Sequence, residues 1–360
     1  MSSQIKSQEL VILGNTLADL TKLSTLTLNL SDNEVDQQGI SGLCSPLSKC
    51  TQLSTLSIDL VGNSIDNQIA QSLISAIAKC TNLSKLSLYL NVNQIGDLKG
   101  LDLFCILTNC SNLSILRLQL SKNQIRDQDV QILGNALVNQ NMLSNLTLDL
   151  SQNKIEQAGA QFLGSALAKC KNLSVLDLNL SMSKLGDLGI IGLGIALTNM
   201  TNIQVLTLWL YNNSIGPEGV SILSKSLANL LLLQNLTIWF QNNSIKSKGL
   251  SSLVSHLSSC INLSILALWF DYCQIDDDGA SNLAAALQEY SNMSKLILYL
   301  SSNKIGDMGA QNLCSALKKC MKLQNLSFDI RRNQISEELK FQMKMKVIKT
   351  KRLVQKSIYI

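Results

Sequence analysis

Residues 141–170 read NMLSNLTLDLSQNKIEQAGAQFLGSALAKC, and this pattern decides the fold because it recurs every 30 residues along most of the chain. Eleven blocks align without insertion or deletion, the first at 21–50 and the last at 321–350. A fixed period of about 20–50 residues is typical of a solenoid, in which each unit buries its apolar face against its neighbours. The sequence therefore predicts a repeat protein.

The first half of each block predicts a β-strand. Position 6 of the block is Leu in all eleven blocks, and positions 8 and 10 are apolar throughout, as in Leu146, Leu148 and Leu150. Alternate residues of a strand lie on one face, so positions 7 and 9 must lie on the opposite face. Position 13 is Asn in nine blocks, and the two exceptions are Ser183 and Cys273.

The second half of each block predicts a turn and a helix. Apolar residues recur at positions 20, 23 and 27, as in Leu163 and Leu167, which is the spacing of one helical face. Pro217 suits a first helical position, where its missing N–H costs nothing. One strand and one helix per block require successive strands to be parallel. Because strands lie about 4.8 Å apart and packed helices about 8–10 Å apart, we expect a horseshoe with the sheet inside.

The repeat resembles the leucine-rich repeat family, specifically its ribonuclease-inhibitor-like subclass with a helix in every repeat. The residues that carry this resemblance are Leu143, Leu146 and Leu148, followed by Asn153 and Ile155. Here the Asn follows the second strand Leu by five residues rather than the family's usual three, which predicts a strand longer by two residues. The resemblance implies an α/β fold, a right-handed solenoid with a concave parallel sheet and convex helices. It also implies that the Asn column bonds backbone groups of neighbouring repeats.

We expect three parts along the chain: an N-terminal capping helix in residues 1–20, eleven repeats in 21–350, and a C-terminal edge strand or cap in 351–360. Residues 5–20 match the helical half of a repeat without its strand. In the last segment Lys356 stands where every block has Leu, and a charge at an inward strand position limits further pairing. The unbroken period favours one elongated unit over two domains.

Composition favours an intracellular protein without a membrane span. The chain is 46% hydrophobic, yet it holds no apolar run long enough to cross a bilayer and no signal-peptide core at its start. Its net charge is +5, but seven basic residues and no acid lie in 340–360, and the remainder carries 23 basic and 25 acidic residues. That basic end is either a solvated capping helix or a contact for an acidic partner or surface.

The cysteines predict a reducing compartment such as the cytoplasm. Six of the ten occupy position 30, at the end of the helix: Cys50, Cys80, Cys110, Cys170, Cys260 and Cys320. Other blocks place Met200, Leu230 or Tyr290 there, so the column is hydrophobic rather than paired. We therefore expect buried thiols instead of disulfides.

The sequence contains few residues or motifs typical of catalytic, cofactor or metal sites. We therefore expect neither an enzyme nor a bound cofactor or metal. The one histidine, His256, lies at a helix position where most blocks carry Ala, which favours a structural role. With one histidine, the sequence offers only one candidate base for a Ser-His-Asp triad. It also contains no His–Cys spacing typical of a zinc site and no glycine-rich phosphate loop.

Position 9 carries the clearest functional signal, because alternation puts it on the concave face. All three tryptophans and a tyrosine occupy it in four consecutive blocks, with two more tyrosines close by: Trp209, Trp239, Trp269, Tyr299, Tyr211 and Tyr272. Rings about 4.8 Å apart should form a ladder roughly 15 Å long. The ladder is either a binding surface, as exposed aromatic patches often are, or cross-strand packing that stabilises the sheet.

A protein or peptide is the expected ligand of this ladder. A nucleic acid would need cations beside the rings, and only Lys295, Arg331 and Arg332 lie near. A sugar stacked on the tryptophans is a further, less favoured alternative. The leading hypothesis is therefore a non-enzymatic interaction scaffold. One alternative is a regulator of a small GTPase, because some helical leucine-rich repeat proteins are GTPase-activating proteins; those end in an acidic tail, whereas this chain ends basic. The other is a structural subunit of a large cytoskeletal or ciliary assembly.

Overall fold

The computed structural model describes residues 5–20, 22–96, 107, 109–290, 292–348 and 353–360. The helical half of the block 81–110 lies largely outside this part, as do the side chains of residues 345–352 in the basic end. The chain forms two compact units, Met1–Ser183 and Lys184–Ile360.

In the first unit, parallel strands alternate with helices. The strands are β1 Thr25–Asn29, β2 Thr55–Asp59, β3 Lys85–Tyr89, β4 Ile115–Gln119, β5 Asn145–Asp149 and β6 Val175–Asn179. The described helices are α1 Ser7–Ala18, α2 Gln37–Leu47, α3 Asn67–Ile77, α4 Asp127–Leu137 and α5 Gln157–Leu167. Each strand pairs with the next in chain order and without a register shift, so Leu146 lies opposite Leu176.

The second unit repeats this arrangement. Its strands are β7 Val205–Trp209, β8 Asn235–Trp239, β9 Ile265–Trp269, β10 Lys295–Tyr299, β11 Asn325–Asp329 and β12 Gln355–Tyr359. Its helices are α6 Gly186–Leu197, α7 Pro217–Leu227, α8 Lys246–Leu257, α9 Asp277–Glu289, α10 Asp307–Lys319 and α11 Glu337–Ile348. The α/β class, the parallel sheet and the solenoid order of strand and helix are thus confirmed.

The core of each unit follows the columns of the repeat. The position-6 leucines are all buried, with Leu26 the most accessible at 8%. Positions 5, 7 and 9 alternate with them on the other face of the sheet, which we call the open face, and all except Ala267 and Asp329 remain accessible there. The cysteines of position 30 are buried between helix and strand, as predicted.

The Asn column bonds neighbouring repeats, as the resemblance implied. Asn93 Nδ2 donates to the carbonyl oxygens of Leu60 and Leu90, both at 3.0 Å, and its Oδ1 accepts the N–H of Ile65 at 2.8 Å. One amide side chain therefore satisfies backbone groups of two adjacent repeats, which matters because unpaired buried backbone groups are costly.

Inter-strand bonding continues beyond position 9 of each block. Each strand spans five residues, but the Leu60 N–H donates to the Tyr89 oxygen at 2.9 Å and the Gly62 N–H to the Asn91 oxygen at 3.1 Å. The extra Leu-x pair of the repeat therefore extends the region of pairing. A sharp turn follows this pairing. The residue at position 12 has a positive φ in every block, from Asp32 to Arg332.

Both ends of the chain resemble parts of a repeat. Helix α1 packs on α2 so closely that a Cβ on Gly14 would lie 2.1 Å from the Gly42 oxygen, which only glycine permits. At the other end β12 pairs with β11 and sets Lys356 opposite Leu326. The Lys356 side chain is exposed rather than buried in the core.

Candidate functional site

Four aromatic residues line up across β7 to β10 on the open face of the second unit. Trp209 pairs with Trp239, Trp239 with Trp269, and Trp269 with Tyr299. Each occupies position 9, between the fully buried residues of positions 8 and 10. We call Trp209, Trp239, Trp269 and Tyr299 the aromatic row.

The three indoles of the row form one stack. The ring centroids of Trp209 and Trp239 lie 4.3 Å apart at an interplanar angle of 15°, and those of Trp239 and Trp269 lie 3.9 Å apart at 7°. Tyr299 ends the stack differently, because its ring meets Trp269 edge-on at 5.6 Å and 70°. The two distances between indole centroids are therefore shorter than the 4.8 Å or so expected from the strand spacing, and the distance from Trp269 to Tyr299 is longer.

The stack is partly accessible to solvent. All four rings have intermediate exposure, since their neighbours cover their faces. A partner would therefore meet mainly ring edges, which carry the positive part of the aromatic quadrupole.

Tyr211 and Tyr272 lie beyond the strand ends and do not extend the stack among the described residues. Tyr211 is half-buried at position 11, and Tyr272 is 52% exposed at position 12. The Tyr272 hydroxyl accepts a bond from Arg332 Nη1 at 3.3 Å. Its pKa is lowered, first by a hydrogen bond with Ser302 and then by Arg332. The two tyrosines are thus separate polar contacts beside the row.

Two polar atoms at the centre of the row are buried without a hydrogen-bond partner among the described residues. They are Nε1 of Trp239 and Oε1 of Gln241, which lie two residues apart on β8 and just beyond it. A buried, unsatisfied polar group costs about 1–3 kcal/mol. A phenylalanine at Trp239 would remove one of these two atoms and would also give up part of the stacking area of the indole.

Aromatic residues at position 9 also forgo a bond that polar residues make there. Asn29 accepts the N–H of Ser31 at 3.0 Å, and Asp149 accepts the N–H of Ser151 at 2.9 Å. Asp59, Asn179 and Asp329 make the same bond two residues onward. An indole or phenol ring cannot reach back to accept it. The row therefore replaces a local strand-end bond with accessible aromatic surface.

A charged cluster lies beyond Tyr299. Asp329 is buried, and the Arg331 guanidinium donates three hydrogen bonds to it: Nε to Oδ1 at 3.0 Å and to Oδ2 at 3.2 Å, and Nη2 to Oδ2 at 2.5 Å. The same guanidinium lies 4.7 Å over the ring of Tyr359. Burial is the main cause that raises the pKa of Asp271, and the charge of Asp329 adds to it.

The sequence analysis did not identify two residues of this charged cluster, Tyr359 and Asp271. Tyr359 continues position 9 into β12, because Asp329 pairs with Tyr359, and counting one more period would have found it. Asp271 offered no such signal, since its unusual pKa depends on burial and on a carboxylate two repeats away.

The histidine and the described cysteines lie in structural surroundings. His256 Nδ1 lies 2.7 Å from the Ser252 carbonyl oxygen, one helical turn back, so that nitrogen donates to its own helix, and Ser224 Oγ of α7 lies 3.2 Å from the same nitrogen. Burial raises the pKa of the thiols of Cys44 and Cys80 to about 12, which keeps them from acting as nucleophiles at neutral pH. The described part of the chain contains no cluster of metal-binding side chains. None of its helices is long and apolar enough to cross a bilayer.

Comparison with known families agrees with the repeat. The model of the family described as Leucine Rich repeat matches residues 22–44, 143–164 and 295–314. Each match begins near a strand, at β1, β5 and β10, and runs into the following helix. These three matches support a leucine-rich repeat protein, a fold that typically serves as a protein-interaction scaffold. A search of curated proteins gave no significant match.

Proposed function

We propose that this protein is a non-enzymatic interaction scaffold that binds a protein or peptide segment through the aromatic row, on the face we expect to be concave. Trp209, Trp239, Trp269 and Tyr299 would supply the main contact, with Tyr211 and Tyr272 at its edge. The observation that carries the proposal is the partly exposed indole stack. It occupies a position where Asn or Asp would make a strand-end bond, and it leaves Trp239 Nε1 unsatisfied. Tryptophan and tyrosine are the residues that most often dominate binding energy.

The test compares partner capture by the wild-type protein and by the triple variant Trp209→Ala/Trp239→Ala/Trp269→Ala. We expect the variant to lose one partner, with affinity weakened by about thirtyfold or more, because each ring would be a central contact. Tyr89→Ala is the matched control, since Tyr89 occupies position 9 of β3 outside the aromatic row. Circular dichroism and a melting curve on each variant separate lost binding from lost folding.

Trp239→Phe provides a second, milder variant. It keeps an aromatic ring in the stack and removes the unsatisfied Nε1–H, so we expect equal or slightly higher thermal stability. Because the smaller ring presents less edge to the partner, we also expect weaker binding. Unchanged partners in both the triple variant and Trp239→Phe would contradict the proposal and leave the row as cross-strand packing.

The finer assignments made from the sequence belong to this proposal as well. We infer the ribonuclease-inhibitor-like subclass from a helix following each described strand up to β11, outside the block 81–110. We infer a reducing, cytoplasmic location from the nine described cysteines, which are all buried and form no disulfide. A small-GTPase regulator and a structural subunit of a cytoskeletal or ciliary assembly remain alternatives that the identity of the captured partner decides. Contact of the basic end with an acidic surface is a separate proposal.

A further inference from the structure

A hollow of about 210 Å³ lies on the open face at the end of the aromatic row, between β10, β11 and β12. We call it the end hollow. Six of its lining residues come from positions 5 and 7 of these strands: Lys295, Ile297, Asn325, Ser327, Gln355 and Ser357. Lys295 and Ile297 are on the same strand and the same face as Tyr299, because residues of a strand alternate.

The hollow exists because the strands beyond β10 carry only small side chains at position 7, although Tyr359 continues position 9 on β12. At position 7, β11 and β12 carry only Ser327 and Ser357. At position 9, Asp329 is buried and held by Arg331. The Tyr299 hydroxyl lies 3.1 Å from Ser327 Oγ, so the last ring of the row borders the hollow directly. A segment lying on the row would therefore reach the hollow without a break.

The lining combines amide and hydroxyl side chains that can donate hydrogen bonds with one cation, Lys295. Lys295 is half-buried, and no described carboxylate lies within ion-pair distance of its ammonium group. In the described part of the chain, the side chains of Asn325, Gln355 and Ser357 make no hydrogen bond either. The nearest acid of position 9, Asp329, is already neutralised by its bidentate contact with Arg331. Such a lining favours an anionic acceptor and disfavours a cation, since charge-assisted hydrogen bonds are the strongest available here.

We propose that the end hollow binds the carboxylate of an Asp or Glu side chain from the same partner segment whose apolar residues pack on the aromatic row. This inference rests on the proposed function and adds to it the chemistry of the partner: apolar or aromatic residues followed at one end by an acid. Ile297 would contact the aliphatic part of that acidic side chain, while Lys295 and the amides of Asn325 and Gln355 would bond its oxygens.

The experiment selects binders from a displayed library of short random peptides on the immobilised full chain. In parallel, the library is selected on Lys295→Met and on the control Lys85→Met. Lys85 occupies the same position 5 on β3, so the control removes an equal charge from an equivalent strand site away from the hollow. We expect wild type and Lys85→Met to enrich Asp or Glu at one fixed distance from apolar residues. Lys295→Met should retain the apolar preference and lose the acidic one.

Binding of one selected peptide then gives the size of the effect. We expect Lys295→Met to weaken it by about five- to tenfold, since the contact is half-buried, and the loss to shrink when the peptide's acid is replaced by its amide. The charge reversal Lys295→Glu should enrich Lys or Arg at the same peptide position. Enrichment of acid that persists on Lys295→Met, or peptides that need the row but show no acid, would overturn the inference while leaving the proposed function intact. If no selected peptide loses binding to the triple Trp variant, both fail.

Discussion

The residue at position 12 shows how the repeat constrains single side chains. All eleven blocks hold it in the left-handed region, with φ between 54° and 69°. The chain accepts Asn212 and Asn242 there, which suit this conformation, and also Val92, which does not because its Cβ is branched. The turn persists at Val92 because the strand pairing on both sides requires it: the Val92 N–H donates to the Ser121 oxygen at 2.9 Å.

Replacing this strained valine should stabilise the protein. We expect Val92→Asn to raise the free energy of unfolding by about 1 kcal/mol, because Asn tolerates the left-handed conformation and Val92 is 48% exposed, so little apolar burial is lost. Urea unfolding would measure the difference. Val61→Asn is the control, since Val61 precedes the turn residue Gly62 and has no positive φ; it should be neutral or destabilising. A loss of stability in Val92→Asn would contradict the strain argument.

Cys273 interrupts the Asn column of the second unit. Its sulfur lies 3.2 Å from the Phe240 oxygen and weakly replaces the amide found at Asn243 and Asn303. Burial raises the pKa of this thiol to about 12, so it stays protonated and acts only as a weak donor. At this one position of the Asn column, a poorer hydrogen-bonding group thus replaces the amide.

Placing an Asn at position 273 should therefore add stability. The amide introduced by Cys273→Asn can donate to the Phe240 oxygen and accept backbone N–H groups, as Asn243 does for Asn213 and Ile215. We expect a gain of about 1 kcal/mol in the free energy of unfolding. The reverse change, Asn243→Cys, should cost at least as much, because it leaves buried backbone groups unsatisfied. Equal stability of wild type and Cys273→Asn would mean that the thiol already serves these groups.

At the scale of elements, the strand ends of the second unit bring charges and rings together across repeats. Asp271 follows β9, Ser301 follows β10, and Arg331 follows β11, so position 11 of three repeats forms a row beside the aromatic row. Asp271 Oδ1 accepts the Ser301 N–H at 2.9 Å, which partly compensates for its burial. The net effect is still a raised pKa, because desolvation outweighs this bond.

The raised pKa predicts a specific pH dependence. The folded state holds the Asp271 proton to a higher pH than the unfolded chain, so stability is lost as pH rises from about 3.9 through the folded pKa. Asp271→Asn keeps an oxygen for the Ser301 N–H and removes the charge. We expect a higher Tm at neutral pH, with the advantage shrinking below about pH 4.

Asp307 offers a control of opposite sign. The backbone N–H of Ser336, 2.7 Å from Oδ1, is the largest cause that lowers the Asp307 pKa. Asp307→Asn should therefore lower the Tm at neutral pH and change it little in acid. An advantage of Asp271→Asn that grows with falling pH would show that its burial is not what perturbs this carboxyl.

At the scale of the whole molecule, thiol chemistry reports on the integrity of the solenoid. The nine described cysteines form no disulfide and all are buried, most of them between helix and strand at position 30. Burial raises the pKa of Cys170 and Cys260 to about 11. The low accessibility of the thiols and their small thiolate fraction should therefore both slow chemical modification of the cysteines in the folded state.

We expect the nine described thiols to resist a thiol-specific reagent in the native protein, whereas all ten cysteines react in denaturant. A reducing agent should leave the Tm unchanged, because no described disulfide exists to be broken. Rapid native labelling of several thiols, counted by mass spectrometry, would show that the helices separate from the sheet in solution.

Much of the fold could be predicted from the sequence because a repeat makes long-range structure local. The period of 30 residues aligned every strand with the next, and alternation assigned each column to the core or to the open face, as the pairing of Trp239 with Trp269 illustrates. The aromatic row was predicted for the same reason. What such columns report is which residues share a face.

Only the tertiary structure decided how those residues meet. The stacking of three indoles and the edge contact of Tyr299 depend on side-chain rotamers, which a column of letters does not contain. The unsatisfied Trp239 Nε1, the raised pKa of Asp271 and the end hollow beside Lys295 each depend on packing or on atoms one or two repeats apart. Periodicity and burial determine the position of a residue in a repeat. Distances and desolvation, which follow from the packed chain, determine its chemistry.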